Sequence, residues 1–206
     1  MPLVYQQNIN EHTKIGVWHI LETEDFFLEK AKEQYKINHP QKRIQHLAGR
    51  YLLLEMANDI SLKNILLTTT GKPFLPDESY FFSISHSADF VAVIISAKSN
   101  VAIDIQHIAP KIESIKQKFL TEEEMNLLST LSISPNEQFT FAWTIKEAMF
   151  KYFDEAGIDF KQHLNITSAN FDNQVWISKS TFNKNKVQQL ETKSIRLNDS
   201  FITWNQ

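Results

Sequence analysis

The sequence contains no cysteine among its 206 residues. This absence excludes a disulfide framework, a thiol nucleophile and any metal site built on thiolate ligands. A chain of this length can bury roughly 70% of the surface that it exposes when unfolded. We therefore expect it to fold without disulfides or a structural metal.

Glycine and proline are also scarce, at 4 and 6 residues, and no low-complexity tract or flexible linker is present. No apolar run approaches the roughly 18 residues that a membrane span requires. The first residues lack the basic and apolar segments of a secretory signal. The hydrophobic fraction of 42% is ordinary for a globular protein. We expect a folded cytoplasmic protein without a membrane segment.

The charge of the chain argues against a nucleic-acid partner. The formal net charge is -3, with 10 basic and 11 acidic residues up to Ser99 and 11 basic and 13 acidic residues after it. A surface that coats DNA or RNA needs a concentration of basic residues. Neither half of the chain has one.

Local patterns predict alternating groups of helices and strands. Helices are predicted from Thr23-Glu24-Asp25 to Tyr35, over about 41–57, from a capping box at Thr121–Glu124, and from a second one at Ser134–Glu137 to Phe153. Strands are predicted at Ile65–Thr69, Tyr80–Ser85, Phe90–Ser96, Val101–Gln106, Gln174–Ser178, Ser194–Leu197 and Phe201–Trp204. Turns are predicted at Gly71-Lys72-Pro73 and Asn198-Asp199-Ser200. This order indicates two α+β halves that meet near residue 100.

One predicted strand carries an acidic residue in an otherwise apolar segment. Strand side chains alternate between faces, so in Val101–Gln106 the side chains of Asp104 and Gln106 share a face with Ala102. Two oxygen donors on that face could bind a hard cation such as Mg²⁺. The alternative is an edge strand whose polar face lies in water.

The predicted helix around Phe141–Lys151 is apolar nearly all round, which is typical of a buried helix. It nevertheless carries Lys146, Glu147 and Lys151, and charges in a buried helix need partners. Glu147 and Lys151 are four residues apart and could pair on an exposed face. The neighbouring Trp143 disfavours that alternative, so the three charges are candidate site residues.

A third group of residues could bind phosphate. The turn lysine Lys72 precedes a strand whose end carries Ser85 and His86, and ammonium, hydroxyl and imidazole groups can donate hydrogen bonds to phosphate oxygens. His86 could equally be an ordinary surface residue. Arg50, on the helix over 41–57, could be a solvated surface charge.

Taken in order, these segments resemble the phosphopantetheinyl transferases, specifically the longer, surfactin-synthetase-activating type built from two similar halves. Val101–Gln106 resembles the first family motif, and Trp143-Thr144-Ile145-Lys146-Glu147-Ala148 with Lys151 resembles the second. Three further segments of this chain resemble short sequences of the family: Gly71-Lys72-Pro73, Ile84-Ser85-His86-Ser87 and Ala48-Gly49-Arg50-Tyr51-Leu52-Leu53. The resemblance covers residues from about 41 to 155.

The resemblance implies an α+β fold of two similar halves in a pseudo-twofold arrangement, with antiparallel sheets packed by helices and an active site in the cleft between the halves. Residues 1–99 would contact the phosphates of coenzyme A, and residues 100–206 would carry the metal ligands and the catalytic helix. The implied reaction moves the phosphopantetheine arm of coenzyme A to a serine of an apo acyl or peptidyl carrier protein and releases adenosine 3',5'-bisphosphate. Because one chain holds both halves, a monomer is expected.

The resemblance also implies roles for individual residues. Mg²⁺ would be held by Asp104, Gln106 and Glu147. Glu147 would accept the serine proton, and Lys151 would neutralise or protonate the leaving phosphate. The implied contacts with coenzyme A come from Arg50, Lys72, Ser85, His86, Lys146 and Lys151.

Two positions depart from the family pattern, which usually has Glu where this chain has Gln106 and Gly where it has Ala102. An amide oxygen can coordinate Mg²⁺ but contributes no charge. We therefore expect weaker metal binding before the pyrophosphate of coenzyme A arrives, or a contact of Gln106 through water.

Two other functions stay open on the sequence alone. One is a non-catalytic module that binds coenzyme A or a carrier protein, and the other is a metal-dependent phosphohydrolase. Four apolar residues could contact a carrier or, as we favour, belong to the core: Ile112, Ile115, Phe119 and Leu120.

Overall fold

The computed structural model describes residues 2–31 and 37–205. The chain divides into two compact units, Met1–Val101 and Ala102–Gln206. The strands of the first unit are β1 (Leu3–Asn8), β2 (Thr13–His19), β3 (Leu66–Leu67), β4 (Pro73–Phe74), β5 (Phe81–Ser87) and β6 (Phe90–Ser96). Its helices are α1 (Glu24–Ala31), α2 (Pro40–Met56) and a short 3₁₀ helix at Leu62–Asn64.

The first unit is an antiparallel sheet, in the order β1-β2-β6-β5, with α2 packed on one face. Its apolar core includes Leu52 of α2 and Val93 of β6. Gly49 allows α2 to approach β5 closely, because a Cβ at this position would lie 2.9 Å from the Ile84 side chain. This close packing fixes the neighbouring Arg50 against the sheet.

The second unit has a five-stranded antiparallel sheet in the order β7-β11-β10-β9-β8. Its strands are β7 (Ala102–His107), β8 (Leu164–Asp172), β9 (Val175–Asn183), β10 (Val187–Leu197) and β11 (Ser200–Asn205). Its helices are α3 (Pro110–Phe119), α4 (Glu122–Ser129), α5 (Pro135–Phe153) and α6 (Phe160–His163). The strand that carries Asp104 therefore lies at one edge of the sheet.

Helix α5 packs on this sheet over β7 and β11. It begins at Pro135, where the Ser134 amide donates a hydrogen bond of 2.8 Å to the Glu137 carboxylate, as the predicted capping box requires. In the core, the Phe141 ring lies 5.6 Å from the Phe201 ring, centroid to centroid. This packing holds the middle of α5 against β11.

The α+β class, with antiparallel sheets packed by helices, is as predicted. The predicted helix over 41–57, the two capping boxes and the strand Phe90–Ser96 are confirmed. The turn at Gly71 is also confirmed, and its φ of +89° is one that glycine adopts without strain. Within the described residues, no helix is long and apolar enough to cross a membrane.

Other boundaries differ from the prediction. The first helix is observed to Ala31, and residues 32–36 of the predicted segment lie outside the described residues. The predicted strand Ile65–Thr69 is only the two-residue β3. Strands β1, β2 and β8 were not predicted. In β1 and β8, a register shift interrupts the regular alternation of side chains.

The candidate carrier contacts on α3 and just after it lie in or against the core of the second unit, as favoured above. Ile112, Phe119 and Leu120 are buried, and Ile115 packs against the same cluster.

Candidate active site

Asp104 on β7 and Lys151 on α5 form a largely buried ion pair. The Lys151 Nζ lies 2.7 Å from Asp104 Oδ1 and also donates a hydrogen bond of 3.1 Å to the Ile103 carbonyl. Asp104 is only 5% exposed, so the alternative of a polar strand face in water is wrong. Because burial of a lone carboxylate is costly, the ammonium compensates for its charge.

Glu147 is the second carboxylate of this site. Burial and, to a smaller extent, the negative charge of Asp104 raise its pKa to about 7, and the Lys151 ammonium limits the rise. The effect of Asp104 on Glu147 means that two separate elements bring their carboxylates into one electrostatic environment. A bound cation would relieve this like-charge repulsion.

Buried hydroxyl groups connect α5 to strands β11 and β10 of the sheet. Thr144 Oγ1 lies 2.8 Å from Thr203 Oγ1, which lies 2.7 Å from Ser194 Oγ. Thr203 is paired with Asp104 across the strands, so these contacts lie beside the carboxylate. No role for Thr144 was predicted from its motif, because its partners are distant in the chain.

Gln106 lies on the same face of β7 as Asp104, as strand alternation predicts, and opposite Phe201. It is partly buried, and its Nε2 donates a hydrogen bond of 3.2 Å to the His107 carbonyl. Its position two residues along the strand keeps it a candidate for a direct or water-mediated metal contact.

Lys146 points away from this group of residues. Its side chain is 0% exposed, and its Nζ lies 2.8 Å from the Glu124 carboxylate at the start of α4. The predicted contact of Lys146 with coenzyme A finds no support here, because the core of the second unit encloses the ammonium. Because α5 is apolar on nearly every side, its sequence does not predict the direction of the Lys146 side chain.

A separate cavity of about 530 Å³ lies in the first unit. It brings together Arg50 from α2, Gly71 from the β3–β4 turn and His86 from β5, three positions singled out in the sequence. His46, one helical turn before Arg50, also lines it and was missed, although its spacing of four residues places it on the same helix face. Arg50 is 6% exposed, so the alternative of a solvated surface charge is wrong.

Lys72 and Ser85 are not among the residues that line this cavity in the described part of the chain. Lys72 Nζ donates a hydrogen bond of 3.0 Å to Asn100. Ser85 is buried and lies on the opposite face of β5 from His86. The structure thus groups Arg50 with His86 and leaves these two predicted contacts outside the cavity.

The donor set of the second unit suits a hard divalent cation. Carboxylate and amide oxygens are the ligands that Mg²⁺ prefers, and Mg²⁺ keeps several waters or substrate oxygens in its shell. Among the described residues, no group of three or more His, Asp or Glu side chains forms a metal site. The donor set predicted from the sequence consists of two carboxylates, Asp104 and Glu147, with Gln106 as a neutral third donor.

Comparison with known proteins assigns the class. The family model described as the 4'-phosphopantetheinyl transferase superfamily matches residues 100–203, about half of the chain and the part that contains Asp104, Glu147 and Lys151. The chain belongs to this superfamily.

Individual relatives are similar over part of their length. A Haemophilus influenzae protein provisionally named a 4'-phosphopantetheinyl transferase is 34% identical over 122 residues, which are 55% of this chain and 50% of that protein. The 4'-phosphopantetheinyl transferase AcpT of Escherichia coli is 32% identical over 114 residues, 53% of this chain and 57% of that protein. Enterobactin synthase component D of Salmonella typhi is 25% identical over 134 residues, 63% and 56% of the two chains. The chain thus spans about half the length of the curated relatives that it matches.

Proposed function

We propose that this protein is a Mg²⁺-dependent 4'-phosphopantetheinyl transferase, which moves the phosphopantetheine arm of coenzyme A to a serine of an apo acyl or peptidyl carrier protein. The observation that carries the proposal is the convergence of Asp104, Glu147 and Lys151 within the region that matches the family. The names of the relatives support the same reaction class.

In the proposed reaction, the serine oxygen forms a bond to the phosphorus that bears the pantetheine arm, and the bond from that phosphorus to adenosine 3',5'-bisphosphate breaks. Glu147 accepts the serine proton, directly or through water. Lys151 neutralises or protonates the departing phosphate. Mg²⁺, when bound, would supply further neutralisation of the pyrophosphate.

The nucleotide end of coenzyme A would bind through the cavity of the first unit. The buried guanidinium of Arg50 would pair with a phosphate, and His86 would contact the pyrophosphate. Contacts from Lys72 and Ser85 stay predictions of the family resemblance. The pseudo-twofold relation of the halves, the cleft site, the monomeric state and the cytoplasmic location also stay predictions.

One assay separates the candidate functions. The protein is incubated with coenzyme A, Mg²⁺ and an apo carrier protein, and the carrier is examined by intact mass spectrometry. A mass increase of one phosphopantetheine on the active serine, absent when that serine is replaced by alanine, is expected. Binding of coenzyme A without a mass increase would favour the non-catalytic module, and breakdown of coenzyme A without a carrier would favour the phosphohydrolase.

A further inference from the structure

The ammonium of Lys146 is enclosed by three acceptors in the core of the second unit. Its Nζ donates hydrogen bonds to the Phe119 carbonyl at 2.5 Å, to Glu124 at 2.8 Å and to the Phe160 carbonyl at 3.0 Å. An ammonium group has three protons to donate. Every one of them therefore has a partner within the protein, and none remains for a ligand.

Glu124 is equally well satisfied and is 3% exposed. Its carboxylate accepts hydrogen bonds from the Thr121 amide at 2.9 Å and the Ile166 amide at 2.8 Å, in addition to the Lys146 ammonium. The pair therefore connects α5 to the end of α3, the start of α4, the start of α6 and strand β8.

Such a pair contributes little net stability, because the cost of desolvating both charges offsets their attraction. Burial lowers the pKa of Lys146, and the Glu124 carboxylate opposes that shift. The pair instead restrains α5. Because the Lys146 ammonium donates to three fixed acceptors, the helix has little freedom to rotate or to slide.

Glu147 is the next residue along α5. Successive residues project about 100° apart around a helix, so an anchor at Lys146 sets the direction of its neighbour. Thr144 anchors the same helix to β11 on the sheet side. Thr144 and Lys146 thus anchor α5 on two different sides, three residues and one residue before Glu147. Together they set the direction of the Glu147 side chain.

We infer that Lys146 and Glu124 are positioning residues, which hold α5 at the rotation that directs the Glu147 carboxylate toward Asp104. The role of that carboxylate in phosphopantetheine transfer rests on the function proposed above. Lys146 then acts through Glu147 and makes no contact with coenzyme A.

The test compares Lys146→Met, Glu124→Gln and the double variant with the wild type and with Lys179→Met, a matched change at an exposed lysine of β9. Lys146→Met leaves a buried unpaired carboxylate and could impair folding, whereas the double variant leaves no unpaired charge. We measure kcat, the KM for coenzyme A, Mn²⁺ affinity by electron paramagnetic resonance, and the crystal structure of the double variant.

We expect the folded double variant to lose about tenfold or more in kcat, because misplacement by about 1 Å costs up to about 10²-fold. Its Mn²⁺ affinity should fall, its KM for coenzyme A should stay within about twofold of the wild type, and Lys179→Met should resemble the wild type. A raised KM with unchanged kcat would overturn the inference in favour of a coenzyme A contact. Wild-type kcat and Mn²⁺ affinity in the double variant would overturn it as well.

The crystal structure decides the inference independently of the proposed function. We expect the Glu147 carboxylate to be displaced relative to Asp104 in the double variant, and an unchanged position would overturn the inference even if the wild type proves to be a transferase. If the wild type modifies no carrier while Glu147 is displaced in the double variant, the proposed function fails and the positioning role stands.

Discussion

The Lys151 ammonium lies 2.7 Å from the Asp104 carboxylate, although the two residues are 47 positions apart in the chain. The contact joins an edge strand to the helix that packs on it, and Glu147 lies one helical turn before Lys151 on that helix. Two carboxyl groups and one ammonium group thus share a partly buried environment. A divalent cation and a substrate phosphate would complete its charge balance.

Asp104→Asn should lower phosphopantetheine transfer by about 10²-fold or more, because it removes one of the two charged metal ligands that we propose while keeping the side-chain shape. The measurement is the initial rate of mass gain on the carrier serine, with folding checked by circular dichroism. Asp172→Asn, at an exposed position of β8, is the matched control. Transfer at the wild-type rate in the Asp104 variant would rule out this residue as a metal ligand.

Gln106→Glu should lower the Mg²⁺ concentration that gives half-maximal rate. The substitution replaces a neutral amide oxygen by a carboxylate beside Asp104 and adds a negative charge to the ligand set. The measurement is a Mg²⁺ titration of the transfer rate at saturating coenzyme A. Unchanged metal dependence would mean that residue 106 lies outside the coordination shell.

Glu147→Gln should change the pH dependence of stability in metal-free protein. The pKa of Glu147 is raised to about 7, so the folded state retains a proton that the unfolded state has already released. The associated stability is complete below the ordinary glutamate pKa of 4.5 and is lost as pH rises through about 7. Between pH 4 and pH 8, the wild type should therefore lose on the order of 2 kcal/mol more of its free energy of unfolding than Glu147→Gln loses. Urea denaturation of both proteins at the two pH values measures this difference.

Two controls sharpen this experiment. Glu191→Gln, an exposed position on β10, should leave the pH dependence unchanged. Mg²⁺ at pH 8 should stabilise the wild type more than the Glu147 variant, because a metal that binds the folded state favours the ionised carboxylate. Parallel pH curves for wild type and Glu147→Gln would contradict the raised pKa.

Arg50→Ala should weaken binding of coenzyme A by about 10- to 100-fold, since a buried charged hydrogen bond contributes about 1.5–3 kcal/mol. The measurement is calorimetric titration with coenzyme A and with 3'-dephospho-coenzyme A. If Arg50 contacts the 3'-phosphate, the wild type distinguishes the two ligands and the variant does not. Lys42→Ala, an exposed lysine on α2, is the matched control and should bind like the wild type.

The features predicted best depend on hydrogen bonds between residues close in sequence. The capping boxes at Thr121 and Ser134 each involve partners three residues apart, and the turn at Gly71 depends on the backbone freedom of one glycine. Strand β8 was not predicted, because a register shift between Ile166 and Ser168 interrupts the alternation of its buried apolar residues.

By itself, the sequence determined the order of the candidate site segments, the residue types that they carry and the strand alternation that puts Asp104 beside Gln106. Only the tertiary structure decided that Lys151 pairs with Asp104, that Lys146 faces Glu124 and that Arg50 is buried. The physical reason is that these orientations depend on partners far away in the chain. A helix that is apolar on nearly every side carries no periodic signal for the direction of its few charges.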